Sequence, residues 1–174
     1  MTIVRPYPRA KKDKEMSETL QHLILVRHGE SEGDVRRAAF KRGEPYQSTK
    51  TPQDEEITAH GIAECHSTGL WIKKHIIQAY GLRGFDGCYV SSAIRTEQSA
   101  VALELPIAVW QEDHDLDERN RGLVAGLRAE QHKDSFPKSF AQMRRDPLHW
   151  TPPNGEAIMP GVTGRVRHFM DDIG

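Results

Sequence analysis

The segment 23–31 of this 174-residue chain holds the residue types best suited to chemistry. Four apolar residues at 23–26 predict a short buried strand, and the polar sequence Arg27-His28-Gly29-Glu30-Ser31 follows at once. A histidine that leaves the carboxyl end of a parallel strand lies where α/β sheets bind their ligands. The neighbouring arginine is a bidentate donor matched to phosphate, the glycine permits close approach, and a following helix would direct N–H groups at an anion. We therefore interpret His28 as a functional residue of an anion-binding site.

Two further segments return to the same predicted sheet edge. Arg95 lies at the start of a predicted helix, just after a second strand at 87–90, and Glu118 lies in a loop after a third strand at 107–110. Phosphoryl transfer needs positive donors, an in-line nucleophile and a proton for the leaving oxygen. A partly desolvated carboxyl group can have its pKa raised enough to supply that proton. Either residue taken singly is as well explained as a solvated side chain, but their convergence with His28 favours phosphoryl transfer.

Strands and helices alternate along the chain, which predicts an α/β fold. The patterns indicate helices at 34–40, 58–80, 93–105, 128–145 (bent near Pro137) and from 161 onward, with a long breaker-rich connection at 41–56. Such alternation is typical of a mostly parallel central sheet covered by helices on both faces. We expect residues 1–20 to be a flexible charged tail and residues 21–174 to form one catalytic domain.

The bulk composition excludes several function classes. The formal net charge is −1 and no basic stripe is present, so we expect no nucleic-acid partner. No apolar run approaches the ~20 residues that cross a bilayer, and the amino terminus lacks the apolar core of a signal peptide. We therefore expect no membrane association and a cytoplasmic location. Two cysteines do not make a disulfide framework or a metal site by their spacing.

The chain resembles the histidine phosphatase superfamily, also called the phosphoglycerate mutase-like family, from residue 21 to about 170. Arg-His-Gly-Glu-Ser after an apolar strand is the most specific of the matching motifs. Residues 57–61 resemble the family's Leu-Thr-x-x-Gly helix start, and residues 91–100 resemble its Ser-x-x-x-Arg-Thr segment. Residues 116–126 resemble its acid-bearing Leu-x-Glu-Arg loop, and residues 155–156 its Gly-Glu helix start.

The resemblance implies a three-layer α/β/α, phosphoglycerate mutase-like fold and a role for each matching residue. His28 is the implied nucleophile that becomes phosphohistidine, and Glu118 is the implied proton donor. The implied phosphate ligands are Arg27, Arg95 and Ser31. No metal or other cofactor is implied, because arginines take the electrostatic role. The expected partner is a small phosphorylated substrate, and a carbonyl on one ring nitrogen of His28 is expected to leave the other free to attack.

Two departures from the family pattern affect these expectations. Asp34 stands where the family usually has an asparagine near the phosphate, so its place in the motif makes it a candidate substrate-binding residue. A carboxylate there repels phosphate unless it is protonated or turned away. The family also places a second His-Gly after a further strand, whereas the other His-Gly pair here, His60-Gly61, follows no apolar strand and is interpreted as structural. We expect the natural protein to continue for a strand and a helix, and the 174-residue chain to be weakly active and prone to homo-oligomerise through an unpaired edge.

Three functions remain open within the family. Arg119 and the pair Arg144-Arg145 resemble substrate-binding arginines of phosphoglycerate mutases. Only nine residues separate Arg145 from Gly155, where mutases carry a longer insertion, so the sequence favours a phosphatase. A catalytically silent member that binds a phosphate ester or a protein is the third possibility. A cysteine phosphatase is excluded because Cys88 and Arg95 miss the required spacing by one residue, and no P-loop motif is present.

Overall fold

The computed structural model describes residues 22–45 and 49–174 with their side chains and residues 2–6 as backbone. The chain divides into two compact units, Met1–Asp117 together with Gly174, and Glu118–Ile173. Within the described residues, no helix is long and apolar enough to span a membrane.

The first unit is built on a four-stranded sheet. Its strands are β1 (Thr2–Pro6), β2 (Ile24–Val26), β3 (Phe85–Val90) and β4 (Trp110–Glu112), and their spatial order is β2-β1-β3-β4. β3 and β4 pair in parallel, while β1 runs antiparallel to both of its neighbours. Consequently β2, β3 and β4 all point the same way, and their carboxyl ends lie at one edge. The predicted α/β class is confirmed.

Residues 2–6 form strand β1, although residues 1–20 were expected to be a flexible tail. The β-branched run Thr2-Ile3-Val4 suits a strand, and Thr2 pairs with Val26 on one side and Val90 on the other. The charge content of the segment obscured this short apolar stretch. Residues 7–20, the remainder of the expected tail, lie outside the described residues.

Helices of the first unit are α1 (Glu32–Lys41), α2 (Ala59–Ile72) and α3 (Ile94–Ala102). A π-helical turn, Lys73–Gln78, extends α2 and completes the helix predicted to end before Gly81. One face of the sheet packs on these helices through a buried apolar cluster: Val26, Ile72, Ile77, Phe85, Cys88, Leu103 and Leu105. Leu25 points to the opposite face of β2 and is exposed. The period-2 alternation of strand side chains explains this difference between neighbours.

Several element boundaries differ from the sequence prediction, and three of them have a clear physical reason. The strand predicted at 107–110 begins only at Trp110, because Ile107 has φ = 58° and so cannot continue a strand. Helix α1 begins at Glu32 rather than 34, where Ser31 caps it. The helix predicted at 128–145 is two helices, α4 (Ala129–Ser135) and α5 (Pro137–Arg145), since Pro137 removes a backbone donor.

The second unit contains α4, α5 and α6 (Thr163–Ile173). Two clusters of side chains hold it together. His132 is buried at an edge-to-face contact with Phe140 and beside the indole of Trp150, and Ser139 hydrogen bonds to both rings. In the other cluster, Glu156 accepts hydrogen bonds from Arg165 and from the backbone N–H of Asn120.

Candidate active site

The loop that carries His28 lies between β2 and α1, at the carboxyl end of its strand as predicted. Its backbone N–H groups are directed at protein acceptors rather than at an empty anion site. The observed bonds are Gly29 N to Ser99 Oγ (3.1 Å), Glu30 N to Glu64 Oε2 (2.8 Å), Ser31 N to Asp34 Oδ2 (3.1 Å), Glu32 N to Glu56 O (2.9 Å) and Asp34 N to Ser31 Oγ (3.2 Å). The expectation that the helix start itself binds an anion is therefore wrong. Positive charge for the predicted phosphate would have to come from side chains.

Two glycines allow this loop to lie directly against the first turn of α2. A Cβ at Gly29 would come within 2.3 Å of the Gly61 carbonyl oxygen, and a Cβ at Gly61 within 2.2 Å of the Glu30 carbonyl oxygen. Thr58 closes the same contact, since its backbone N–H donates to the Glu30 carbonyl at 2.8 Å. The glycine of the His60-Gly61 pair thus has a packing role in the site, which agrees with its structural interpretation.

His28 is oriented by its own loop. Its Nδ1 lies 2.8 Å from the Gly29 carbonyl oxygen, which can only accept a hydrogen bond. Nδ1 therefore carries the ring proton, and Nε2 carries the lone pair in the neutral imidazole. The side chain is 12% exposed. This geometry matches the expectation that a carbonyl selects the tautomer needed for attack.

The surroundings of His28 favour its neutral form. Burial is the largest effect and lowers the pKa of the imidazole, whereas the Gly29 carbonyl raises it. The guanidinium groups of Arg95 and Arg27 lower the pKa further, and the Asp34 carboxylate opposes them. The net pKa lies below the ordinary value of 6.5. Near neutral pH the ring is therefore uncharged and nucleophilic.

Arg95 is buried at the start of α3, unlike an ordinary exposed helix arginine. Its Nη1 donates to the Pro52 carbonyl, and the backbone N–H of Ile94 donates to the Gln53 carbonyl at 3.0 Å. The segment around Pro52 belongs to the long breaker-rich connection predicted at 41–56. Its contacts here hold it against α3 and fix the direction of the Arg95 side chain.

Arg27 and Ser31 both engage Asp34. Arg27 Nη2 lies 2.9 Å from Asp34 Oδ1, and its side chain is 74% exposed. Ser31 is fully buried, and its Oγ donates to Asp34 Oδ2 at 2.8 Å while capping α1. In the structure, therefore, the predicted phosphate ligand Ser31 serves as a helix cap. Its predicted contact with phosphate remains a prediction.

A cavity of about 440 Å³ opens beside the imidazole. Arg27, His28 and Asp34 line it together with residues of α2 and the loop: Gly29, Glu30, Glu64, Cys65 and Thr68. The described residues contain no cluster of three or more His, Cys, Asp or Glu side chains arranged to hold a metal ion.

The remaining predicted site residues belong to the second unit. Glu118 is the first residue of this unit, and its side chain is exposed. Arg119 is held within the unit, since Nε donates to the Glu156 carbonyl at 2.9 Å and the guanidinium lies 5.2 Å from the centre of the Trp150 ring. Arg144 and Arg145 are exposed in the last turn of α5, where cations complement the helix dipole. These placements give Arg119 a structural role. The role of Glu118 as proton donor and the assignment of the three arginines to substrate stay predictions.

Sequence reasoning missed two residues that build the site. Ser99 is buried on α3, accepts a hydrogen bond from Gly29 N and donates to the Arg95 carbonyl at 2.6 Å. Asp117 accepts from the N–H and the hydroxyl of Ser92 at 2.9 and 2.8 Å, which fixes the turn after β3. The spacing of four between Arg95 and Ser99 on one helix was a usable signal for the first. Nothing local distinguished Asp117 from the acids beside it.

The model of the histidine phosphatase superfamily (branch 1) matches residues 23–174. The chain belongs to this superfamily. The match includes every predicted site residue from Arg27 to Arg145.

Relatives and solved structures agree with this family. A 2,3-bisphosphoglycerate-dependent phosphoglycerate mutase of Methylobacterium sp. (strain 4-46) is 27% identical over 158 residues, which cover 87% of this chain and 67% of the mutase. The corresponding enzyme of Bradyrhizobium sp. (strain ORS 278) is 26% identical over 162 residues, covering 91% and 70%.

Two solved structures share the fold at low sequence identity. A protein described as an alpha-ribazole-5′-P phosphatase from Escherichia coli superimposes with a TM-score of 0.62 at 19% identity, covering 85% of this chain and 64% of that chain. A mycobacterial glucosyl-3-phosphoglycerate phosphatase, solved in complex with VO3, gives 0.56 at 22% identity, covering 84% and 63%. The phosphoglycerate mutase-like fold is thereby confirmed. The chain spans about two thirds of the length of the proteins it matches.

Proposed function

We propose that this protein hydrolyses phosphomonoesters through a phosphohistidine intermediate on His28. The observation that carries the proposal is the 2.8 Å contact between His28 Nδ1 and the Gly29 carbonyl, because it leaves the lone pair on Nε2, in a ring whose pKa is lowered by burial and by the charges of Arg95 and Arg27. A neutral, oriented imidazole is the state that nucleophilic catalysis requires. Two structural neighbours described as phosphatases, together with the short segment between Arg145 and Gly155, support hydrolysis over transfer.

The proposed reaction has two steps. In the first, His28 Nε2 attacks phosphorus, the bond from phosphorus to the ester oxygen breaks, and that oxygen takes a proton. In the second, water attacks phosphorus, the P–N bond breaks, and inorganic phosphate leaves. The guanidinium groups of Arg27 and Arg95 balance the charge that spreads over the phosphoryl oxygens in both steps. We infer that they do so without a metal, so EDTA should leave the rate unchanged.

The proton in this scheme is assigned to Glu118. The assignment rests on the sequence Leu-Asp-Glu-Arg at 116–119, which resembles the acid-bearing loop of the family. Protonation of the leaving oxygen in the first step and removal of a proton from water in the second are the two halves of general acid–base catalysis. The same carboxyl group performs both.

Acid-labile, base-stable label on His28 is the direct test. Brief exposure to a ³²P-labelled phosphomonoester should label the wild type, and His28→Ala should stay unlabelled. His60→Ala is the matched control, because it removes the histidine of the other His-Gly pair, whose side chain is 69% exposed. Equal labelling of His28→Ala and the wild type contradicts the proposal. A protein that binds phosphate esters and never becomes labelled is the catalytically silent member instead.

Phosphoglycerate mutase activity is the second candidate, and the names of the sequence relatives favour it. A mutase donates the phosphoryl group of His28 to phosphoglycerate instead of to water. Incubation of the wild type with 2,3-bisphosphoglycerate and 3-phosphoglycerate separates the two functions: formation of 2-phosphoglycerate marks the mutase, and release of inorganic phosphate alone marks the phosphatase.

A further inference from the structure

Asp34 accepts four hydrogen bonds through its two carboxylate oxygens. Its Oδ1 accepts from Arg27 Nη2 and Arg37 Nη2, both at 2.9 Å. Its Oδ2 accepts from the backbone N–H and the hydroxyl of Ser31, at 3.1 and 2.8 Å. Burial raises the pKa of Asp34, but the hydrogen bonds from Arg37 and Ser31 outweigh that effect and hold the pKa well below its ordinary value. Asp34 is therefore a carboxylate in the folded protein, and it is neither protonated nor turned away from Arg27.

This carboxylate is not the group that orients His28. Asp34 Oδ2 lies 3.9 Å from His28 Nδ1, beyond hydrogen-bond distance, and the Nδ1 proton is used by the Gly29 carbonyl at 2.8 Å. A histidine–aspartate pair is therefore excluded as the reason for the acid. What Asp34 does hold is Arg27, the arginine assigned to phosphate.

A phosphate that reaches Arg27 meets a carboxylate already bound to the same guanidinium. Both anions seek the planar donor edge of an arginine, and they repel each other when they share it. Arg37 makes an exchange possible, because it remains on Asp34 Oδ1 when Arg27 moves away. The carboxylate then keeps a cation and its two contacts with Ser31.

We propose that Asp34 is an internal competitor for the substrate phosphate, holding Arg27 in the free protein until the phosphoryl group takes that guanidinium over. The inference rests on the proposed function in that it takes the cavity beside His28 as the phosphate site. It assigns Asp34 a positioning role, acting through Arg27, instead of the contact with substrate expected from its place in the motif.

A double-mutant cycle on Arg27 and Asp34 tests the competition. The probe is inorganic phosphate, and its Kd is measured by isothermal titration calorimetry at low ionic strength. We expect Asp34→Asn to lower this Kd about tenfold, as expected for the loss of one ion pair and one like-charge repulsion. With Arg27→Ala already present, Asp34→Asn should change the Kd less than about twofold, because no guanidinium remains to be released.

Glu44→Gln is the matched control for the change in charge. It changes the net charge equally and breaks a comparable exposed ion pair, Arg42 to Glu44 at 3.0 Å, beyond the far end of α1. We expect its Kd for phosphate to equal that of the wild type. Thermal unfolding of each variant shows whether the loss of the cap contact between Asp34 and Ser31 has disturbed α1, and Asp34→Glu, which keeps the charge, should retain the wild-type Kd.

The outcomes separate the interpretations. Equal tightening by Asp34→Asn with and without Arg27 overturns the proposal, since the effect is then general repulsion. Weaker binding of phosphate by Asp34→Asn also overturns it, and so does the absence of binding in every variant. Phosphate binding needs no turnover, so failure of His28 to become labelled refutes the proposed function while the cycle still decides the role of Asp34.

Discussion

Substitution of Gly61 by alanine tests how the His28 loop is held. A Cβ at this position would lie 2.2 Å from the carbonyl oxygen and 2.7 Å from the nitrogen of Glu30, far inside van der Waals contact. The obstructing atoms are backbone, so no side-chain rotation relieves the overlap. Either the first turn of α2 or the loop carrying His28 has to move, by about 1 Å.

The magnitude follows from two opposing effects. Alanine in place of a helical glycine gains about 1 kcal/mol of helix propensity. Overpacking of a filled site costs about 1–3 kcal/mol, and contact with backbone on both sides places this case at or above the upper end. The net loss of stability is about 2 kcal/mol, which lowers the Tm of a chain of this size by about 4–8 °C. A displacement of the nucleophile by about 1 Å should lower kcat/KM about 10²-fold.

Differential scanning fluorimetry and steady-state kinetics with a phosphomonoester measure both effects. Gly164→Ala is the matched control, since it is also a helical glycine and a Cβ there meets no atom within 4 Å. It should leave kcat/KM unchanged and raise the Tm slightly. If Gly61→Ala behaves like Gly164→Ala, α2 does not pack on the His28 loop as described, and the reasoning fails.

Three further predictions concern the chemistry. Arg95→Ala should lower kcat/KM about 10²–10³-fold, as the loss of one oxyanion donor does. Substitution of the exposed Arg83 by alanine is the control and should leave kcat/KM unchanged. An unchanged rate in Arg95→Ala means that this arginine only anchors the Pro52 segment. Burial and the charges of Arg95 and Arg27 lower the pKa of His28 below 6.5, so the acid limb of kcat/KM should lie below that pH. The Asp34 carboxylate raises the pKa of His28, so Asp34→Asn should move the acid limb to still lower pH. A limb above pH 6.5 in the wild type contradicts the assignment of His28. Glu118→Gln should slow single-turnover phosphorylation by an alkyl phosphate more than by nitrophenyl phosphate, whose leaving group needs no proton; equal slowing of the two argues against Glu118 as the acid.

The parts of the site that were predictable from sequence are those that local pattern determines. Four apolar residues followed by Arg-His-Gly specify a strand and a polar loop, so His28 was placed correctly after β2. The helical spacing of apolar residues in α2 and its Thr58 cap specify a helix. Ile107 shows where local pattern fails: an apolar residue after Pro106 fits a strand by composition, but its left-handed backbone belongs to a turn.

The parts that were not predictable depend on pairing across long sequence distances. The insertion of β1 between β2 and β3 depends on register between residues twenty or more positions apart, which composition does not encode. Among the described strands β1 is the sole sheet partner of β2, so a segment expected to be a tail links the strand of His28 to the strand that precedes Arg95. The hydrogen bond from Arg95 to the Pro52 carbonyl also joins residues far apart in the sequence, 43 positions from each other, and was not predictable for the same reason.

The hydrogen bonds of the His28 loop also bear on the role proposed for the arginines. Five backbone N–H groups between Gly29 and Asp34 are already used inside the protein, so the loop is rigid but offers a phosphate little through its backbone. Rigidity serves the nucleophile, because the Gly29 carbonyl that fixes the tautomer of His28 belongs to the residue whose N–H is held by Ser99. The same Ser99 hydroxyl donates to the Arg95 carbonyl. One buried side chain on α3 thus links the loop of His28, the proposed nucleophile, to Arg95, the arginine proposed to bind its substrate. Arg27 is exposed and held by Asp34, and we propose that it is the cation that moves.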